Sequence, residues 1–537
     1  MSEVTDPATL VLRDLLDAAV AEDVEGAGRA SLGPGPEGRP GTWVRFRTAD
    51  GGCLAWQARA GGVLQRTRYA DGPVLAGASL REVTDPAEVL CLLAPGAPCV
   101  DVVARDVRTA VDHVLPVPTG GLGEDAGERL AAARGRPFHP TARAVAGWTR
   151  ADVDRWGPGA EVPLDWVGVR RDHVRRGASP LYLDDAPGAP DTHVALPVHP
   201  FDREHVLPVA FRRELADGTV IPLARGVGAG RATASLRTLD LGGGRHLKLP
   251  LGVTTLGSAR LLGARSLDHA QRGERVLRDV LAADPDLRGR VAVADETAWA
   301  GFARPDGSDE FADRPGHLAA MVRRLPPPAG AVRLPLAALA APAWDGPLAE
   351  LGDPEAVFAA VVEAVVGTGI GFLRHGVLPE MHGQNVLLDV SPGRIGLVLR
   401  DHDAVRVHPR WLSVSDPGYR LAPGGTQSLR LDSPGALIGF FATLAVEVGL
   451  GGVVDALVRH TGTAEARWWT VIRRAVEDAV AATRSPTVRG TLETVLLDAD
   501  TWPYRTVLRP LLERGPSAGT SMPAGVALVP NPLRAVR

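Results

Sequence analysis

The stretch Gly435–Val454, GALIGFFATLAVEVGLGGVV, is the longest apolar run in the chain, and it must be covered either by lipid or by a large amount of protein. Glu447 and four interior glycines interrupt it. A buried charge and flexible residues argue against a bilayer span, so the run reads as a pair of buried helices, 434–449 and 452–461. Such a pair needs a large core around it. The chain of 537 residues, 45% hydrophobic and 23% charged, is long enough to supply one in about three units.

Turn and cap residues divide the rest. Asp6-Pro7, Asp85-Pro86 and Asp353-Pro354 each read as N-cap and first turn of a helix, the last ending near Gly367. Further helices are expected at Val102–Leu115, Gly127–Arg134, Ser266–Leu281 and 464–483. Gly26–Gly41 reads as loop. Alternation predicts strands at Thr42–Arg47, Cys53–Ala58 and Val63–Tyr69, then a run of short strands between Trp148 and Pro328. Pro326-Pro327-Pro328 is the best linker candidate. A strand–turn–strand unit, Val386–Val390 and Ile395–Leu399, sits among the later helices. The fold class is α+β.

Charge excludes some partners. Fifty-nine basic residues against 63 acidic ones give a net charge of −4, with no bulk positive charge for nucleic acid or anionic lipid. The three cysteines fit neither a disulfide framework nor a zinc spacing, and MSEVTDPATL has no signal-peptide pattern. The expectation is a cytoplasmic protein.

Of the basic residues 58 are arginine, and one, Lys248, is lysine. A lysine retained in so arginine-rich a chain marks a place where a compact ammonium is needed. Lys248 lies in a hairpin pattern: Ser235-Leu236-Arg237-Thr238, then Gly242-Gly243-Gly244, then His246-Leu247-Lys248. A two-residue turn puts Arg237 across from Lys248 with Ser235 on the same face, a phosphate clamp. A three-residue turn pairs Lys248 with Thr238 instead.

A second constellation is Glu380-Met381-His382-Gly383-Gln384-Asn385 ahead of one strand, with Arg400-Asp401-His402-Asp403 after the next. Carboxylate and amide oxygens at two strand ends suit Mg²⁺ when a nucleotide supplies the other ligands. A third set is Pro137-Phe138-His139-Pro140 and Pro197-Val198-His199-Pro200, where prolines stiffen the backbone around a histidine.

In order and spacing these blocks resemble the IucA/IucC family, the NRPS-independent siderophore (NIS) synthetases. Arg260, closing Val253–Arg260, and Asn531-Pro532-Leu533 fit the same pattern. The resemblance implies a cupped hand: a thumb at 1–147, β-rich fingers at 148–330 and a helical palm at 331–537. It implies ATP and Mg²⁺, adenylation of a citrate-like or succinyl-type acid, and condensation with an amine or hydroxyl, with a homodimer as the assembly. Carried over by residue, His139, Ser235, Arg237, Thr238, Lys248, Gln384 and Asn385 would bind ATP. Glu380, Asn385 and Asp401 would hold the metal. Arg260 and His382 would meet the acyl substrate, and Arg260, His382 and Lys248 would serve catalysis. Two departures stand out: Arg136 and Arg143 replace the family's usual His and Lys. Two other readings are a kinase-like phosphotransferase, suggested by His375-Gly376…Asn385…Asp401 but with Val377 in place of the base, and a nucleotide-binding pseudoenzyme.

Overall fold

Each Asp-Pro pair starts a helix, because the aspartate side chain accepts a hydrogen bond from a first-turn N–H that the helix itself cannot satisfy. Asp6 accepts from Thr9, Asp85 from Ala87 and Asp353 from Ala356, opening Pro7–Ala21, Pro86–Leu93 and Pro354–Leu373. The computed structural model describes residues 6–48, 51–60, 62–123, 125–423, 428–517 and 519–536.

The N-terminal sheet is a five-stranded antiparallel meander in sequence order, Ser31–Pro34, Thr42–Arg47, Cys53–Ala60, Thr67–Ala76 and Arg81–Val83. Gly26–Gly41 is thus not all loop, and the expected strand Val63–Tyr69 lies further on. The core beneath this sheet takes in Leu508, Leu511 and Leu512, so the end of the chain folds back onto its beginning.

The central sheet has seven strands, in the order Glu161–Pro163, Ala229–Ala232, Thr238–Asp240, Arg245–Lys248, Ala319–Arg324, Asp295–Phe302 and Val174–Arg176. Register decides what each face carries. Thr238 pairs with Lys248, Asp240 with His246, and His246 with Arg323, so these polar side chains share one face. Leu239, Leu247 and Val322 alternate with them and pack with Trp148, Trp156 and Trp166 on the other. The sheet therefore has one apolar face and one face bearing charge.

That charged face meets a second layer. The strands Val386–Ser391 and Arg394–Leu399 form the expected hairpin, in a four-stranded sheet whose parallel neighbour is Val291–Val293. Helix Ala264–Ala283 spans the two layers; a Cβ on its Gly273 would come within 2.2 Å of the His402 carbonyl, so only glycine permits this approach. The triple proline is pinned: Arg333 donates to the carbonyls of Pro326 and Pro327 and to Asp389.

The apolar run differs from the expected pair. Pro434–Thr461 is one continuous helix with a π-helical stretch, Ala442–Leu450, in its middle. This helix and Pro354–Leu373 are long and apolar enough to cross a bilayer, yet 89% and 72% of their most apolar stretches lie inside the structure. Both serve the main core.

Candidate active site

The glycine turn decides the first constellation. Gly242, Gly243 and Gly244 all have positive φ, and the three-residue loop pairs Lys248 with Thr238. Arg237 is therefore not the cross-strand partner of Lys248, and Ser235–Arg237 is not strand. Thr233 donates to the Thr238 carbonyl through both its N–H and its hydroxyl, at 2.9 Å each. That closure loops Ala234–Arg237 out of the sheet, with Leu236 at φ 64°. Ser235 lies 3.2 Å from the Thr233 hydroxyl, and Arg237 donates to the Leu261 carbonyl at 2.6 Å.

Lys248 is buried, and its ammonium is hydrogen-bonded to Asp401. Arg323 joins the same carboxylate and also donates to Glu296 at 2.6 Å. Glu296, fully buried, accepts from the backbone N–H groups of Asp401 (2.8 Å) and His402 (3.0 Å). Asp401 needs this support, because its φ of 64° and ψ of 78° are unusual for a residue with a side chain. Burial alone would raise the Asp401 carboxyl, but Lys248 and Arg323 hold it well below the ordinary range. Burial likewise opposes the Glu296 charge, and Arg323 leads the groups that bring it to about 2.

The second constellation forms as a tight turn. His382 N–H donates to the Glu380 carbonyl at 3.1 Å, and Asn385 N–H to the His382 carbonyl at 3.0 Å. The His382 ring accepts from Gln384 N–H at 3.2 Å. Glu380 accepts from Arg406 at 3.1 Å, and burial lowers the His382 pKa, so the ring is neutral near pH 7. Asn385 is buried at the end of the turn, just before the strand Val386–Ser391. Asp403 has no hydrogen-bond or ion-pair partner among the described residues. Burial raises its pKa, Lys248 opposes that, and Asp401 and Glu380 add to it. Among the described residues no three His, Cys, Asp or Glu side chains form a ready cation cage.

Arg260 ends on neutral partners, the hydroxyl and carbonyl of Thr255. Burial, then Arg237, lowers its pKa to about 9. Among the described residues the Arg136 guanidinium has one hydrogen-bond partner, the Met522 sulfur, at 3.1 Å. Arg505, on strand Thr501–Thr506, has no hydrogen-bond or ion-pair partner among the described residues. All four of Arg136, Arg237, Arg260 and Arg505 are half-buried. His139 is fully buried with Nε2 unpartnered, and burial, then Arg136, Arg260 and Arg505, hold its pKa well below the usual value.

The fold thus gathers Lys248, Arg237 and Arg260 from one layer and Glu380, His382, Asn385 and Asp401 from the other. Thr238 is buried beside Lys248; Gln384 is half-buried next to His382. Sequence reasoning missed Glu296, Arg323 and Arg505, and it named Asp403 in the second constellation without giving it a role of its own. Two consecutive arginines ending the apolar strand Ala319–Arg324 were the available signal for Arg323. His375 is hydrogen-bonded to Asp284 at 3.2 Å and to Ser413 at 2.7 Å.

Comparison with known proteins gives the class. Residues 126–341 match the IucA / IucC family model, and residues 355–517 match a model described as ferric iron reductase FhuF-like transporter. Staphyloferrin B synthase of Staphylococcus aureus is 31% identical over 445 residues, covering 76% of each chain. The petrobactin biosynthesis protein AsbB of Bacillus anthracis superposes with a TM-score of 0.81 at 18% identity, covering 99% of this chain and 95% of its own. ATP-bound aerobactin synthetase IucA of Klebsiella pneumoniae gives 0.76 at 17% identity, covering 98% and 99%. The fold is that of the siderophore synthetases. The chain belongs to the IucA/IucC family, the NIS synthetases.

Proposed function

We propose that the cleft between the central sheet and the Glu380–Asp403 layer binds ATP with Mg²⁺ and adenylates a carboxylic acid, which is then joined to an amine or hydroxyl. The observation that carries this reading is the surplus of guanidinium groups with neutral partners, set opposite the carboxylates Asp401, Asp403 and Glu380. A triphosphate bridges such a charge distribution, with arginine and lysine on its oxygens and a cation between it and the carboxylates.

In the reaction an oxygen of the acid forms a bond to the α-phosphorus while the bond to pyrophosphate breaks. The nucleophile then bonds to the acyl carbon, loses a proton, and AMP departs. Ser235, Arg237 and Thr238 hold phosphate oxygens. Lys248 has three donors, so it can keep Asp401 and reach a phosphate as well. Arg260 stands where acid and α-phosphate meet and offsets the charge of two approaching anions. His382 Nδ1 accepts from Gln384 N–H, so the proton of the neutral ring lies on Nε2, from which it donates to the acid and orients it. Gln384 and Asn385 contact the nucleotide, and His139 braces the arginines from behind.

The donor set fits Mg²⁺, which binds through one or two carboxylates and substrate phosphates rather than a full protein cage. Unpaired Asp403 joins Glu380, Asn385 and Asp401 as a holder. Mg²⁺ would neutralise phosphate charge and polarise the α-phosphate. The segment matching the FhuF-like model contains none of the three cysteines, so it offers no thiolate for an iron–sulfur cluster.

We read 1–147, 148–330 and 331–537 as thumb, fingers and palm of a cytoplasmic enzyme that works as a homodimer. Separate cores under the N-terminal and central sheets support the first division. Product analysis tests the reaction: AMP and pyrophosphate formed only when an acid is present support it, and ADP overturns it.

A further inference from the structure

The block Pro197-Val198-His199-Pro200 has no part in the assignments above, although its histidine is buried. His199 is the N-cap of the short helix Pro200–His205, and its Nδ1 accepts from Phe201 N–H at 3.1 Å, a donor the helix cannot satisfy itself. Trp148 and Trp156 hold the ring, with centroids 6.1 and 5.6 Å away. Asp202, in the first turn of this helix, is fully buried, and its Oδ1 accepts from Gly252 N–H at 2.6 Å.

Gly252 lies in the hairpin that carries Arg260. Strand Leu251–Thr255 pairs with Ser258–Arg260, but the register slips: Leu251 faces Arg260 and Thr254 faces Ala259. Gly252 and Val253 are therefore extra residues, a bulge set against the Ala259–Arg260 step. A bulge bends its strand, re-aims neighbouring side chains and leaves a ladder N–H without its usual acceptor. Asp202 supplies that acceptor. The fit is close, since a Cβ on Gly252 would lie 2.1 Å from Val206 Cγ2, at the end of the same helix. Elsewhere the hairpin is held by backbone alone. Thr254 exchanges hydrogen bonds with Ala146 at 2.9 and 3.0 Å, and Ala259 N–H donates to the Gly519 carbonyl at 3.0 Å. Arg260 folds back onto Thr255 of its own hairpin, so its guanidinium goes where the hairpin goes.

We propose that Asp202 is a positioning residue for Arg260: it fixes the bulge through Gly252 N–H, and the His199 cap fixes the helix turn that bears it. This rests on the adenylation reading of Arg260. Asp202 acts only through the hairpin and contributes no chemistry of its own. What it must supply is an oxygen acceptor, which asparagine also has and alanine lacks.

The test takes hydroxamate formation as the rate. Asp202→Ala should lower kcat about 100-fold, the effect of displacing a catalytic group by roughly 1 Å, with KM for ATP changed only a few-fold. Asp202→Asn should restore the rate to within about threefold of wild type, because it keeps the acceptor. In an Arg260→Ala enzyme, adding Asp202→Ala should change the rate by no more than about twofold, since the group it positions is gone. Losses that multiply in the double variant, or an Asp202→Asn enzyme as slow as Asp202→Ala, would overturn the proposal. Should Asp202→Ala fail to fold, Gly252→Ala displaces the hairpin by its clash with Val206 and should slow the reaction comparably, with Val206→Ala restoring it. A Gly252→Ala enzyme at the wild-type rate would overturn the proposal. Hydrogen exchange reads the hairpin without turnover: amides of 251–260 should exchange about tenfold faster in Asp202→Ala and at the wild-type rate in Asp202→Asn. Unchanged exchange in Asp202→Ala refutes the positioning. Faster exchange, together with an Arg260→Ala enzyme that runs at full rate, supports the positioning and refutes the role given to Arg260 in the reaction.

Discussion

Two sets of cations lie where the central sheet faces the Glu380–Asp403 layer and end on different kinds of partner. Lys248 and Arg323 end on the carboxylates of Asp401 and Glu296. Arg136, Arg237 and Arg260 end on a sulfur, a carbonyl, and a carbonyl with a hydroxyl. The first set has its charge answered by the fold and holds the two layers together. The second ends on neutral partners, the arrangement that the proposed binding of an anionic ligand requires. The difference separates architecture from recognition among side chains of the same type.

Arg260→Ala should lower adenylation by about 1,000-fold, since it removes a cation aimed at the transferring phosphate, while Tm stays near wild type. A large drop in Tm would move Arg260 into the architectural set. Glu296→Gln should do the reverse, costing about 3–5 kcal/mol of stability through the loss of a buried charge pair. Its effect depends on pH with a definite sign. The Glu296 pKa falls from 4.5 to about 2 on folding, so its contribution is complete above about pH 5 and fades as pH falls toward 2. Denaturation of both proteins across this range should show the gap closing with acid; a constant gap contradicts the ion-pair account.

Lys248→Arg sharpens the boundary, because Lys248 belongs to both sets. A planar fork cannot divide its donors between Asp401 and phosphate as an ammonium does, so adenylation should fall about tenfold or more with the fold retained. Unchanged rates in a soluble variant would remove Lys248 from the phosphate site. The smallest effect concerns Asp202, buried under the Arg260 hairpin with one oxygen on Gly252 N–H and the other unpartnered. Burial raises its pKa from 3.8 to about 7, so the folded state holds a proton that the unfolded state has lost between those values. Stability should fall as pH rises through that window. Asp202→Asn should therefore gain a few degrees in Tm relative to wild type as pH climbs from 4 to 7, and no more above it; an advantage independent of pH would contradict this.

Local chemistry made much of the fold legible. The three Asp-Pro caps and the turn between Val386–Val390 and Ile395–Leu399 act within four or five residues, and the structure follows them. The hairpin at Gly242–Gly244 left two registers open, because a third glycine lets either turn form. The structure closes the three-residue turn, with Leu241 N–H donating to the Arg245 carbonyl at 2.8 Å and all three glycines at positive φ. The sequence pattern splits the helix through 434–461, since glycines that weaken an isolated helix are tolerated where Pro503, Leu336 and Pro137 pack against Gly439, Gly449 and Gly452. The Glu380–Asn385 turn was visible as a cluster of polar residues between apolar strands. Glu296 was not: its partners are 27 and 105 residues away, and no local spacing signals them.

The central claim is that the acid's own oxygen attacks the α-phosphate. Citrate, 2-oxoglutarate and succinate labelled with ¹⁸O in the carboxyl groups, each incubated with enzyme, ATP, Mg²⁺ and hydroxylamine, test it directly. The account predicts one ¹⁸O in the AMP released with each hydroxamate; label appearing in inorganic phosphate, with ADP as the nucleotide product, would contradict it.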